Sequence, residues 1–443
     1  MKKYTLALIL GALALPLAAQ EQPKPKAKPE DKKASIQLYG FVRNYLSFDS
    51  RRMVTVCGGE YLMIPYDEDW NLSESEVSLY GEESRVDRNA VPETHLLALT
   101  TRFGANLGGP MLLGASSSGK VEADFAGFGS NNTVLRLRLA YVKLNWDAPD
   151  RASHELLVGQ DWHPLSGSIM PEVLGMAAGA PFRPHSRTPQ VRYTFATPSG
   201  FGFSAAALWQ YQYTSPGPDG ESVAYANRAL VPELFLGANF RSKHLYAQLG
   251  IDYTDLLIRR ELPVSDPMTH AELYKTILED HCRSFSPTLY AQYTDGPVAV
   301  KFRSTLAQNL GHLNMLSGYA WAADSGNPAA SSYQPVRSSV SYLNLAYGKR
   351  IRLDFFAGYQ KNLGLPDGYS IAGGEIYMKK GIKNIDYIWR IAPSVSFNTA
   401  AFNIGLEYEL TGVGYGTLQP DATVADPHSV LGHRVLALVK YNF

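Results

Sequence analysis

From Ser35 onward, apolar and polar side chains alternate with period two rather than at helical spacing. In 35–48, Ile36, Leu38, Val42, Leu46 and Phe48 fall on one parity, opposite Gln37, Arg43 and Ser47. In 200–214, Phe201, Phe203, Ala205, Ala207, Trp209, Tyr211 and Tyr213 share a face. In 384–397, Ile385, Tyr387, Trp389, Ile391, Val395 and Phe397 oppose Asp386, Arg390 and Ser394. Near the end, Val435, Ala437, Val439, Tyr441 and Phe443 oppose Arg434, Lys440 and Asn442. Such segments number about 16, an even count suited to an antiparallel barrel. They are expected at 35–49, 94–107, 119–128, 133–146, 154–162, 189–197, 200–214, 231–242, 243–256, 284–294, 297–309, 338–348, 350–361, 384–397, 399–411 and 432–443. The segment 133–146 changes face near Tyr141, which a β-bulge would explain.

The connections sort by length. One alternate set is compact: 197–200, 241–243, 295–297, 348–350 and 398–399, with longer exceptions at 108–118 and 147–153. The other set is mostly long: 50–93, 163–188, 215–230, 257–283, 310–337, 362–383 and 412–430. Short periplasmic turns and long extracellular loops are the pattern of an outer-membrane barrel. Lipid offers no partner to backbone polar groups, so strands cross it only as a closed sheet. The expected fold class is therefore all-β, a transmembrane antiparallel β-barrel of about 16 strands. Its polar face lines an aqueous interior.

Lys2 and Lys3 precede an apolar run from Tyr4 to Leu17, then Ala18 and Ala19, the order of an export signal. Residues 1–19 are expected to be that signal, 20–34 a Lys/Pro-rich flexible linker, and 35–443 the barrel. Charged residues are 19% of the 443 and the net charge is +0, which gives no global attraction to nucleic acid. Two cysteines exclude a disulfide scaffold and a Cys-rich metal site. Cys57 and Cys282 both fall in expected external loops, and whether they pair stays open.

Lumen-facing positions carry Arg43, Arg102, Lys120, Arg136, Arg138, Arg192, Lys301, Arg303, Arg352 and Arg390. Fixed cations in a confined pore attract anions, and Arg can grip a carboxylate with two bonds. Carboxylates face the lumen too, at Glu122, Asp124, Asp354, Asp386, Glu407 and Glu409, so some of the arginines must be paired. Arg136, Arg138 and Arg192 stand out because their strands bracket the third long loop, 163–188. That loop is rich in Gly, Pro and Ala and carries Glu172, Arg183, His185 and Arg187. Asp67, Glu68, Asp69, Glu74 and Glu76 read as a solvated acidic patch rather than a Ca²⁺ loop, because regular ligand spacing is lacking. Residues 266–281 read as a short external helix, with Asp266 as N-cap and Pro267 at its first position.

Several stretches resemble the DcaP-like trimeric porin family of Gram-negative outer membranes. They are Leu38-Tyr39-Gly40-Phe41-Val42, the run from Leu135 to Val142, the run from Leu157 to Trp162, and three pieces between Pro171 and Thr194. The resemblance implies a homotrimer of 16-stranded barrels whose third loop folds into the lumen. It also implies passage of small anions, including dicarboxylates. Candidate pore-lining residues are then Arg43, Arg102, Arg136, Arg138, Arg192, Arg183, Arg187, Glu172, Arg303 and Arg352. The terminal Tyr441 and Phe443 resemble the assembly signal that outer-membrane proteins present to the barrel-assembly machinery. The expected function is passive diffusion of small hydrophilic solutes through an outer-membrane porin. Outer-membrane lipid is the expected surrounding, with no catalytic residue, metal, cofactor or nucleic acid. A barrel enzyme, and a plugged barrel serving as a scaffold or secretion subunit, are the alternatives that stay open.

Overall fold

The computed structural model describes residues 34–57, 61–127, 134–147, 151–166, 170–265, 268–269 and 272–443. The expected export signal and nearly all of the linker lie outside the described residues. The barrel strands are β1 (Ser35–Asp49), β2 (Arg102–Leu112), β3 (Ala115–Asp124), β4 (Arg136–Trp146), β5 (Ser153–Trp162) and β6 (Arg187–Ala196). They continue as β7 (Phe201–Leu208), β8 (Glu233–Arg241), β9 (Leu245–Ser265), β10 (Glu272–Asp295), β11 (Val298–Gln308) and β12 (Asn327–Gly348). The last four are β13 (Ile351–Gly364), β14 (Ile385–Asn398), β15 (Phe402–Leu418) and β16 (Val424–Asn442). Each pairs antiparallel with its neighbours, and β16 closes on β1 from Phe41 opposite Asn442 to Asp49 opposite Arg434. The terminal backbone completes the seam, with Gly40 and Phe443 exchanging N–H···O bonds of 3.1 and 3.0 Å.

Burial is inverted relative to a water-soluble protein. Leu38 on the outside is 78% exposed, whereas Arg138 on the inside is 3% exposed. A one-residue register slip would turn every arginine toward lipid, at about 2–4 kcal/mol each near the bilayer midplane. The alternating pattern therefore sets the register.

The expected strands form with instructive differences: 94–107 is broken at 98–101 into Glu93–Leu97 and Arg102–Leu112, both paired with β1, and others differ at their edges. The face change in β4 is a bulge at Arg138: Glu122 pairs with Leu139 and Ala123 with Leu137, so Arg138 is the extra residue. Arg138 and Leu139 then both point inward, three residues earlier than the alternation suggests. The expected 108–118 connection shrinks to a turn at Leu113–Gly114, both at positive φ, the geometry of a tight two-residue hairpin. β7 ends at Leu208, and Trp209, Tyr211 and Tyr213 do not continue it. Gln210 bonds Ser215 twice at 3.0 Å and turns the chain.

The expected helix at 266–281 is overturned. Asp266 and Pro267 lie outside the described residues, but β10 already runs from Glu272 and pairs with β9, Arg259 opposite Asp280 and Glu261 opposite Ile277. A membrane crossing needs about 9–11 residues, whereas β9, β10 and β12 have 21, 24 and 22. The surplus stands above the membrane. It is held by burial of Leu256, Ile258 and Cys282 against Tyr319 and Tyr333 of the adjoining hairpin. That tertiary packing overrides local helix capping. Cys282 thus sits in a strand rather than a loop, and no disulfide joins it to Cys57.

Candidate pore constriction

The third loop leaves β5 at Trp162 and crosses the lumen. Lys301 on β11 reaches the Met170 carbonyl at 2.6 Å and the Glu172 carboxylate at 2.5 Å. Glu172 donates its N–H to Asn344 on β12 at 2.7 Å and pairs with Arg352 on β13 at 3.3 Å. Leu174 and Gly175 donate their N–H groups to the Glu407 carboxylate on β15 at 2.7 and 3.1 Å. Arg43 on β1 bonds the Leu174 carbonyl at 3.2 Å, and Arg390 on β14 bonds the Ala180 carbonyl at 3.0 Å. The loop spans the barrel because walls on its far side supply partners to its backbone. Its small residues permit the tight path: Gly179 sits at φ +83°, and a Cβ there would strike the Pro171 ring.

Two further segments fold inward, and neither was anticipated. The hairpin Met53–Val56 with Tyr61–Pro65 buries Met63 and Ile64 completely. Tyr415 donates to the Pro65 carbonyl at 2.6 Å, and Tyr61 bonds His185 Nε2 at 3.0 Å. The turn Gly311–Leu313 is fully buried, and its Leu313 carbonyl accepts the His185 N–H at 2.7 Å. These segments share one apolar core with Phe182 and Phe356 inside the barrel. The unbroken apolar run Tyr61-Leu62-Met63-Ile64 was the available signal, because a strand buried on both faces shows no alternation.

The arginines divide by what they face. Arg136 grips Asp124 with two bonds of 2.9 and 2.8 Å, and Arg138 meets Glu122 at 2.8 Å and Asp124 at 2.7 Å. Arg102 pairs with Glu122 at 3.3 Å, Arg192 with Asp161 at 2.8 Å, and Arg352 with Asp354 at 3.0 Å. Arg183, Arg187 and Arg303 are buried as deeply, yet none has a carboxylate within salt-bridge reach among the described residues. Arg183 bonds the Ala178 and Pro184 carbonyls and His185 Nδ1. Arg187 bonds the Tyr213 hydroxyl and lies between the Trp162 and Tyr213 rings, 5.0 and 5.3 Å away. Its Nε and Nη1 have no partner among the described residues, nor has Nε of Arg303. Burial, together with the charge of Arg303 and Arg187, pushes the Arg183 guanidinium down to about 10, so it stays a cation at neutral pH. Burial and then Arg183 hold the His185 ring well below its ordinary pKa. Nδ1 accepts from Arg183, so the neutral ring carries its proton on Nε2.

No family model matches this chain, and no curated protein sequence matches it. Solved structures do. The outer membrane channel DcaP of Acinetobacter baumannii superposes with a TM-score of 0.61, over 93% of this chain and 97% of that one, at 15% identity. The anion-selective porin from Comamonas acidovorans gives 0.53, over 93% and 100%, at 10% identity. The fold is that of a 16-stranded outer-membrane porin.

Other candidate features of this barrel are taken up by its own side chains. Asp67 bonds His428 at 2.7 Å and Asn384 at 3.0 Å, and Asp69 bonds Arg88 at 2.6 Å. Glu76 closes the capping box of the helix Glu74–Tyr80 with Ser73. Asp67, Asp69 and Glu76 of the acidic patch are therefore engaged by protein donors, while Glu74 is exposed to solvent. His163, which flanks the third loop, bonds Glu233 at 2.7 Å, and His312 meets the same oxygen at 3.0 Å. The Leu165 N–H donates to His163 Nδ1, so His163 Nε2 carries the proton and is a donor, not a metal ligand. At the seam Tyr441 faces outward and packs at a tilt against Phe402, ring centres 5.0 Å apart, while Phe443 pairs through its backbone with Gly40.

Proposed function

We propose that the protein is an outer-membrane porin for small hydrophilic solutes, favouring anions such as small mono- and dicarboxylates, and that it works as a homotrimer. The observation that carries the anion reading is the set Arg183, Arg187 and Arg303, buried guanidiniums with no carboxylate partner among the described residues. An uncompensated charge in a confined site is costly, and a passing anion lowers that cost. Arg136, Arg138 and Arg192 cannot supply this field, because Asp124, Glu122 and Asp161 cancel it within about 3 Å. The likeness to an outer membrane channel and to a porin described as anion-selective supports the same reading. The trimer rests on the family resemblance alone.

The test is the reversal potential of purified protein in a planar bilayer across a KCl gradient. Anion preference is expected, and a cation-selective pore would overturn the selectivity while leaving the porin reading intact. A protein that never conducts would return the plugged-barrel alternative. For assembly, Phe443→Asp should abolish insertion of the barrel into the outer membrane while export continues, because the last strand must be recognised and then closed on β1.

A further inference from the structure

Beneath the third loop, on the side of the short turns, a chamber of about 350 Å³ opens between β1, β16 and β13. That volume falls in the range of small-molecule sites, ~300–1,000 Å³. Arg43, Lys349, Arg352 and Lys440 line it, with only Glu172 and Asp354 as carboxylates. Both carboxylates are already engaged: Glu172 by Lys301 and Arg352, and Asp354 by Arg352. Arg43 and Lys440 have no carboxylate within salt-bridge reach among the described residues.

These two cations stand directly opposite each other across the closing seam of the barrel. Like charges in that position destabilise a strand pair. Aromatic rings hold them without neutralising them, Arg43 over Tyr45 at 4.5 Å and Lys440 over Phe41 at 4.3 Å. The Arg43 Nε is buried and has no partner among the described residues. A repulsive pair at the seam, cationic side chains lining a cavity, and carboxylates spent elsewhere are together the makings of an oxyanion site.

We propose that this chamber is a second anion subsite, specific for small carboxylates, that receives solute on the periplasmic side of the constriction. It is separate from Arg183, Arg187 and Arg303, and it rests on the anion-porin reading above. It makes the pore asymmetric, because the site lies on one face of the constriction.

The probe is succinate, titrated into one chamber at a time of a bilayer holding single trimers in KCl. A biotinylated Asp219→Cys on an external loop marks the insertion direction when streptavidin is added. Succinate should reduce the current at a lower concentration from the short-turn side than from the loop side. Arg43→Gln with Lys440→Gln should raise the half-blocking concentration on the short-turn side about tenfold, equivalent to about 1.4 kcal/mol, and leave the loop side unchanged. Lys440→Gln alone should give part of that change and raise the thermal unfolding temperature, since it removes a repulsion. Equal block from both sides in the wild type, or an unaltered double variant, overturns the subsite. If the wild type is still anion-selective in KCl when that happens, only the subsite falls. If it is cation-selective, the parent reading falls as well.

Discussion

The arginine ladder on β4, paired with carboxylates of β3, and the arginine cluster around the third loop are buried to a similar depth, yet they have opposite electrostatic characters. Arg136 and Arg138 are each 3% exposed and meet Asp124 and Glu122 with multiple short bonds. Arg183 and Arg187 are 0% and 1% exposed and meet carbonyls, a phenol and ring faces. The first set is neutral as a unit and braces the wall. The second set keeps its charge. Counting arginines on a polar face therefore overstates the field, and partners decide which of them a solute can feel.

The largest expected effect is on the ladder. Arg138→Ala leaves Glu122 and Asp124 facing each other without their shared guanidinium, and breaking such a buried pair costs about 3–5 kcal/mol. The heat-induced gel shift of the folded barrel should move to markedly lower temperature. The charge-conserving pair Arg136→Gln with Asp124→Asn should leave the reversal potential where it was, because a neutral unit replaces a neutral unit. A clear shift toward cations in that double variant would mean that the ladder contributes to selectivity after all. Next in size, Arg187→Gln with Arg303→Gln should remove most of the anion preference. Stability should hold or rise, since two uncompensated buried cations disappear. Unchanged selectivity there would assign the field elsewhere.

The barrel was legible in the sequence because lipid enforces a strict rule. Every crossing strand must alternate, so Leu38 against Arg43 or Ile391 against Arg390 reports a face directly. Loop sorting was legible for the same reason. Pairing was not: Asp124 lies on β3 and Arg136 on β4, and only the register with its bulge at Arg138 brings one carboxylate to two arginines. The inward hairpin at Met53–Pro65 was missed because its partners, such as Arg390, Tyr415 and His185, lie more than a hundred residues away. The helix expected at 266–281 failed because a strand that already has a partner extends wherever a packed neighbour rewards it.

The third effect separates charge from mere burial within the loop cluster. His185 sits beside Arg183, and its folded-state pKa lies well below the ordinary 6.5. The unfolded chain therefore takes up this proton first, so stability is present above about pH 6.5 and is lost as pH falls through that value. Thermal unfolding should occur at lower temperature at pH 5 than at pH 7, and His185→Gln should remove part of that difference. The reversal potential should stay flat over the same range, because the ring is neutral while the barrel is folded. A selectivity change with a midpoint near pH 6.5 would show that His185 titrates inside the open pore.

The smallest effect belongs to the external lysines Lys379 and Lys380, which are adjacent in sequence and differ in setting. Lys379 is buried and pairs with Glu221 at 2.7 Å, so it is already neutralised. Lys380 is exposed and stands at φ +59°. Lys380→Gln should not move the reversal potential at about 0.15 M salt, where the Debye length is ~8 Å and solution separates the lysine from the constriction. At about 0.01 M salt the screening length grows to ~30 Å, and a small shift toward cations should appear. Arg187→Gln should behave oppositely, with a shift that persists as salt rises, because its charge is buried and salt screens buried charges much less. If the two variants show the same salt dependence, the constriction is as well screened as the surface, and burial of the loop arginines gives them no advantage in selecting ions.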